Sequence, residues 1–83
     1  MKAMAATGGI GVAEREIGLT VNGEDRRIPA GWTLADLLVS LELDARAIVI
    51  EHNGTILRDR FSFASLGLSA DDSLEIVHFV GGG

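Results

Sequence analysis

Thr33-Leu34-Ala35-Asp36-Leu37-Leu38-Val39-Ser40-Leu41 is the stretch that decides the fold. Thr33 is a good N-cap, and Asp36, three residues on, completes a capping box by reaching back to the Thr33 amide. Trp32 before the cap and Leu37 at the fourth helical position have the spacing of a hydrophobic staple. Leu34, Leu37, Leu38 and Leu41 follow the i, i+3, i+4, i+7 rule and form one apolar stripe, with Asp36, Ser40 and Glu42 off it. The spacing predicts a helix from Leu34 to near Leu43, with Asp44 beginning the exit. A leucine stripe in so short a helix is core packing rather than a cofactor box.

Everything around this helix reads as strand. Ile17-Gly18-Leu19-Thr20-Val21 alternates, placing Ile17, Leu19 and Val21 on one face. Asn22-Gly23 supplies residues that accept positive φ in a tight hairpin turn. The return strand is expected around Arg26 to Ile28, closing at Pro29, with Asp25, Arg26 and Arg27 suiting a solvated edge. After the helix, Ala47-Ile48-Val49-Ile50 is continuously apolar and β-branched, which predicts a strand covered on both faces. It runs through Glu51 and His52 into a second turn signal, Asn53-Gly54, and a short strand at Thr55-Ile56-Leu57. Phe61, Phe63 and Leu66 are expected in a short helical turn under the sheet, ended by Gly67. Ser69 to Asp72 is a polar turn, and the last strand begins near Ser73.

One helix among strands has a single packing solution, a sheet folded over it. Because the helix separates the opening hairpin from the later strands, a parallel pairing of first and last strands is expected. The predicted fold class is therefore α+β, the β-grasp or ubiquitin-like arrangement, with a mixed sheet of four or five strands on one main helix. Residues 16–80 make the domain, residues 1–15 a flexible leader, and residues 81–83 a flexible tail. Thr7-Gly8-Gly9-Ile10-Gly11 in the leader has the glycines of a dinucleotide-binding turn, but lacks the preceding strand and following helix which that motif needs.

The last stretch, Leu74-Glu75-Ile76-Val77-His78-Phe79-Val80, runs straight into Gly81-Gly82-Gly83. Without side chains the final three residues can thread a slot too narrow for any other peptide, and ordering them is entropically costly. Such a tail is either an inert end or a feature that a partner uses.

Composition narrows the choice. With 83 residues the chain is one small domain, too small to enclose a catalytic cavity without losing its core. The absence of cysteine excludes a disulfide framework, a thiolate metal site and a cysteine nucleophile. A net charge of −5 argues against nucleic-acid binding and suits docking onto a basic surface. No apolar run reaches membrane-spanning length, so a cytoplasmic protein without a membrane partner is expected.

The chain resembles the ThiS-type sulfur carriers of bacterial thiamine thiazole synthesis. The resemblance rests on Val21-Asn22-Gly23-Glu24, the helix from Thr33 to Leu38, Ile48 to Gly54, Ile56-Leu57-Arg58, Asp71 to Val77, and the ending Val80-Gly81-Gly82-Gly83. It covers residues 17–83, departing from the family in the leader and at Leu57-Arg58, where Val-Pro-Arg is common. It implies that an E1-like (ThiF-type) adenylyltransferase activates the Gly83 carboxylate with ATP. A cysteine-desulfurase system then supplies sulfur to form a thiocarboxylate, and a ThiG-type thiazole synthase accepts that sulfur. Gly81 and Gly82 would thread into the partner. The carrier itself would be a co-substrate with no bound cofactor or metal, the ATP belonging to the activating enzyme.

Single residues follow from that picture. Leu74 and Ile76 share one face of the last strand, Glu75, Val77 and Phe79 the other. If the first face covers the helix, Val77 and Phe79 project beside the tail and, with Val80, form a docking surface. The alternative is that Phe79 folds over the sheet edge or against the leader. His78 and His52 are expected to be structural, and Arg58 a solvated arginine.

Three rival functions remain at this level. The small subunit of molybdopterin synthase shares fold and chemistry but tends to carry Pro-Pro shortly before Gly-Gly, where this chain has Phe79-Val80. A ubiquitin-like modifier would join Gly83 to lysines, yet the only lysine here is Lys2, in the leader. A plain interaction domain would tolerate deletion of Gly82-Gly83.

Overall fold

The computed structural model describes residues 15–79. Strand β1 (Glu16–Val21) and strand β2 (Glu24–Pro29) form an antiparallel hairpin, followed by helix α1 (Leu34–Ser40). A 3₁₀ turn (Ala45–Ala47) leads into β3 (Ile48–His52), then β4 (Thr55–Leu57), a second 3₁₀ turn (Arg60–Ser62) and β5 (Ser73–His78). Among the described residues the five strands make one sheet in the order β2-β1-β5-β3-β4. β5 runs parallel to β1 and antiparallel to β3, so the last strand is the centre of the sheet. This is the β-grasp.

Local chemistry explains the elements. Asn22 and Gly23 have φ of 52° and 82°, and Asn53 and Gly54 have 50° and 87°, the pair of positive values that a two-residue hairpin of matching twist requires. The capping box forms as its residues predict: the Asp36 amide donates to Thr33 Oγ1 at 3.2 Å, and the Thr33 amide to Asp36 Oδ2 at 2.9 Å. Trp32 lies half buried against the core that contains Leu37.

That core is one layer between helix and sheet. Leu34, Leu37, Ile50 and Leu74 are fully buried, with Leu19, Ile28, Leu38, Ile48, Phe63 and Ile76 around them. Each contributes roughly 1.5–3 kcal/mol of transfer free energy, and truncating Leu37 to alanine would cost about 2–5 kcal/mol.

Four expectations are corrected. The helix ends at Ser40, not near Leu43. The Glu42 amide bonds the Val39 carbonyl, the Leu43 amide bonds that of Leu38, and Glu42 takes φ 59°. This is a Schellman ending with glutamate in the left-handed position, which turns Leu43 back to the core early. β3 is fully covered on one face only: Ile48 and Ile50 are buried, whereas Val49, pointing the other way, is partly buried. β2 begins at Glu24, directly after the turn, and Pro29 still pairs with Glu16 on this edge strand. Phe61 lies outside the core at 79% exposure. Asp59 caps the 3₁₀ turn and its geometry sends Phe63, two residues later, inward instead.

Candidate functional site

The site is built around the end of β5. Leu74 and Ile76 face the helix and are buried, while Val77 and Phe79 on the opposite face are 62% and 60% exposed. The strand is held in place from both sides. The Thr20 amide donates to the Asp72 carbonyl and the Asn22 amide to the Leu74 carbonyl on the β1 side. On the β3 side, Ile48 to His52 pair with His78 to Leu74 in reverse order. The last anchor is the Phe79 amide, which donates to the Ala47 carbonyl at 2.9 Å. A central strand fixed on two edges therefore presents residue 79 at a defined place.

Register shows what accompanies Val77 and Phe79. Val49 is the cross-strand partner of Val77, and Glu51 is opposite both Glu75 and Ile56. Directly opposed residues share a face, so Val49, Ile56 and Val77 form an outer apolar strip. A groove at the end of this strip is lined by Val49, Ile56 and Phe79 together with Arg46, Arg58 and Arg60. Val49 and Ile56 were not singled out from the sequence. Only the β3–β4 register joins them to Val77, and that register follows from the Asn53-Gly54 turn.

The arginines differ in what they already hold. Asp44 caps the 3₁₀ turn and grips Arg46 in a fork, with contacts of 3.1 Å and 2.9 Å. The side-chain bonds from Arg46, with its backbone amide adding to them, pull the Asp44 carboxyl down to about 2. Arg60 lies over the Phe61 ring at 4.8 Å. Arg58 is exposed and makes no ion pair among the described residues.

At the far end of β5 is a polar cluster that sequence reading missed. Asp72, buried at 8% exposure, accepts from the Ser69 amide (2.8 Å) and Asn53 Nδ2 (3.0 Å). His52 Nε2 lies 3.1 Å from Asp72 Oδ2, and since an ionised carboxylate only accepts, that nitrogen carries the proton. Burial opposes the charge on Asp72, but the bonds from Ser69, Asn53 and His52 outweigh it and hold the carboxyl below its ordinary range. Asn53 also exchanges backbone and side-chain bonds with Ser73 at 2.8 Å each, clamping the strand's start. His52 is thus structural. His78 is exposed opposite Ile48.

Val80, Gly81, Gly82, Gly83 and the leader up to residue 14 lie outside the described residues. Among the described residues no group of three or more His, Cys, Asp or Glu side chains could hold a metal ion, and no helix is long and apolar enough to cross a membrane.

Comparison with known proteins meets this geometry. The profile of the ThiS family matches residues 19–83. The sulfur carrier protein ThiS of Bacillus subtilis is 37% identical over 67 residues, covering 78% of this chain and 98% of that protein. The thiazole synthase of Paramagnetospirillum magneticum is 40% identical over 65 residues, 78% of this chain but 20% of that enzyme. The chain thus spans about a fifth of the length of the thiazole synthases it matches. The crystal structure of the thiamine biosynthesis protein ThiS from Geobacter metallireducens superposes with a TM-score of 0.69 at 30% identity, over 81% of this chain and 100% of that one.

Proposed function

The chain belongs to the ThiS family of sulfur carrier proteins of thiamine biosynthesis, and we propose that it carries sulfur as a thiocarboxylate on Gly83. A carboxylate oxygen is a poor leaving group, so the carbonyl must first be activated. A partner adenylyltransferase joins the Gly83 carboxylate to the α-phosphate of ATP, releasing pyrophosphate. Sulfur from a persulfide on a donor protein then displaces AMP, and reductive cleavage of the resulting acyl disulfide by a thiol leaves the thiocarboxylate. Thiazole synthase takes the sulfur from there.

The observation that carries this reading is the placement of β5. The strand sits at the centre of the sheet, is anchored up to the Phe79 amide, and leads directly into Val80-Gly81-Gly82-Gly83. Four residues beyond Phe79 reach at most about 14 Å when extended, enough to enter a narrow site while the domain stays outside. Glycine leaves that peptide as thin as a backbone allows. The outer apolar residues Val77 and Phe79, continued by Val80, are the proposed contact with the enzyme that receives the tail. The domain supplies the handle and the carboxylate, and the partner enzymes supply the catalysis.

The thiazole synthase partner is supported by relatives in which a stretch like this one is part of a chain named thiazole synthase. The test is ATP-dependent pyrophosphate release by a ThiF-type adenylyltransferase. Release should depend on this chain and vanish when Gly82-Gly83 is deleted. Equal release with the shortened chain would reject the proposal.

A further inference from the structure

We propose that residues 1–13 of this chain fold back over an apolar groove on the helix layer, between Val39 and Phe61. The inference goes beyond the sulfur-carrier reading and does not depend on it.

The groove lies between α1 and the second 3₁₀ turn, and its apolar lining is Ala35, Leu38, Val39, Leu43, Phe61 and Phe63. Leu38 and Phe63 are core residues at its base, whereas Val39 and Phe61 are 76% and 79% exposed, more than any other large apolar side chain among the described residues. Local structure holds Phe61 outward. Asp59 accepts the Phe61 amide at 3.0 Å, and Arg60 lies over one side of the ring at 4.8 Å. The two charged groups at the rim are thus engaged, Arg60 with that ring and Asp44 with Arg46, so the open surface is apolar. Contiguous apolar surface of this kind is a contact site. It belongs to the helix layer, whereas Val77 and Phe79 stand on the outer face of the sheet, so it is separate from the surroundings of the tail.

Three observations choose the occupant. The first is composition. Lys2 is the only charged side chain among residues 1–13, and Met1, Met4, Ile10 and Val12 are large and apolar. A solvated leader is instead rich in charge and poor in such groups. The second is position. The Ala30 amide donates to the Arg15 carbonyl at 2.8 Å, so the leader joins the fold five residues before Ala35, at the near end of the groove. The Ala35 amide in turn donates to the Phe63 carbonyl at 3.1 Å, which places the Phe61 side of the groove beside the same turn of the helix. The stretch from Ala30 to Ala35 spans at most about 18 Å, and Met4, eleven residues before Arg15, reaches about 37 Å when extended. The third is competition. A segment tethered this closely acts at an effective concentration on the order of millimolar, well above any second copy at micromolar protein. Methionine suits the seat, because its unbranched side chain fills irregular apolar gaps.

The test is nuclear Overhauser spectroscopy on the full 83-residue chain with labelled methyl groups and rings. Cross-peaks are expected from the Met4 and Ile10 methyls to the Phe61 ring and the Val39 methyls. Phe61→Ala should abolish the cross-peaks to Val39 and move the Met4 and Ile10 shifts to random-coil values. The Leu37 and Ile50 methyl shifts, deep in the core, should stay in place and show that the variant is folded. Met4→Gln, Ile10→Gln alters only the leader and should move the Phe61 ring shifts of a domain that is otherwise unchanged. Leader methyls at random-coil shifts in the unaltered chain overturn the inference. So do cross-peaks from the leader to Val77 and Phe79 in place of Phe61, or cross-peaks seen only between differently labelled copies. No step of the experiment uses the glycine tail or a partner enzyme, so its failure leaves the sulfur-carrier reading untouched.

Discussion

The Asn22 side chain binds the Ile76 backbone in both directions: Oδ1 accepts from the Ile76 amide at 2.7 Å, and Nδ2 donates to the Ile76 carbonyl at 3.2 Å. The parallel register between β1 and β5 covers only Thr20 with Ser73 and Val21 with Leu74. Beyond it β1 has already turned into the hairpin. Asn22 extends the ladder by one step with a side chain that imitates a strand, while its own backbone makes the turn at φ 52°. One residue thus closes the hairpin and steadies the strand that leads to the tail.

Separating those two tasks is a matter of choosing the substitution. Asn22→Gly keeps the turn and loses the side-chain bonds, and should cost about 1–3 kcal/mol. Asn22→Ala loses the bonds and also strains the turn, costing about 1 kcal/mol more. Urea denaturation of both variants checks the order, and equal costs would mean that the turn conformation is not a separate contribution.

Asp72 makes stability depend on acid. Its folded pKa is depressed, so the stabilisation it provides is fully present above the unfolded value near 4 and is lost as pH falls through the folded value. Asp72→Asn should flatten the fall in urea midpoint below about pH 4. At neutral pH it should destabilise the domain, since the Ser69 and Asn53 donors lose a charged acceptor. An unchanged acid limb would show that the carboxylate is not held as described.

How much of this is legible in the sequence follows the range of each interaction. Thr33 and Asp36 are three residues apart, so their capping box can be read directly, as can the Asn22-Gly23 and Asn53-Gly54 turns. The leucine stripe shows which face of the helix is buried, and alternation shows which face of β5 is. Contacts between distant residues leave no local trace. His52 and Asp72 are 20 positions apart, and Asn22 and Ile76 are 54 apart. Val49 looks like a core residue because its neighbours are apolar, yet this sheet covers its helix with one face only. Glu42 carries no sign of a helix ending, because glutamate is not a residue that favours positive φ.

That last point has a simple consequence. Glu42→Gly relieves the left-handed strain at the Schellman position and removes a negative charge from the negative end of the helix. It should raise stability by about 0.5–1 kcal/mol, seen as a higher melting temperature. A lower melting temperature would mean that the extra freedom of glycine in the unfolded chain outweighs the strain.

Phe79 should matter for binding and little for folding. At 60% exposure, Phe79→Ala is expected to change stability by less than about 1 kcal/mol. Its affinity for thiazole synthase should fall about tenfold or more, as for an aromatic anchor at an interface. Val39→Ala, at an exposed position on the helix, is the matched control and should bind normally. Full affinity in Phe79→Ala would place the contact elsewhere.

The central claim is that Gly83 carries the sulfur, and intact mass spectrometry tests it most directly. The chain is incubated with a ThiF-type adenylyltransferase, ATP, cysteine, a cysteine desulfurase and a thiol reductant, then weighed. The account predicts a mass gain equal to replacement of one oxygen by sulfur, mapped to Gly83 by fragmentation and absent without ATP. An unchanged mass with every component active, or sulfur mapped to any other residue, would contradict it.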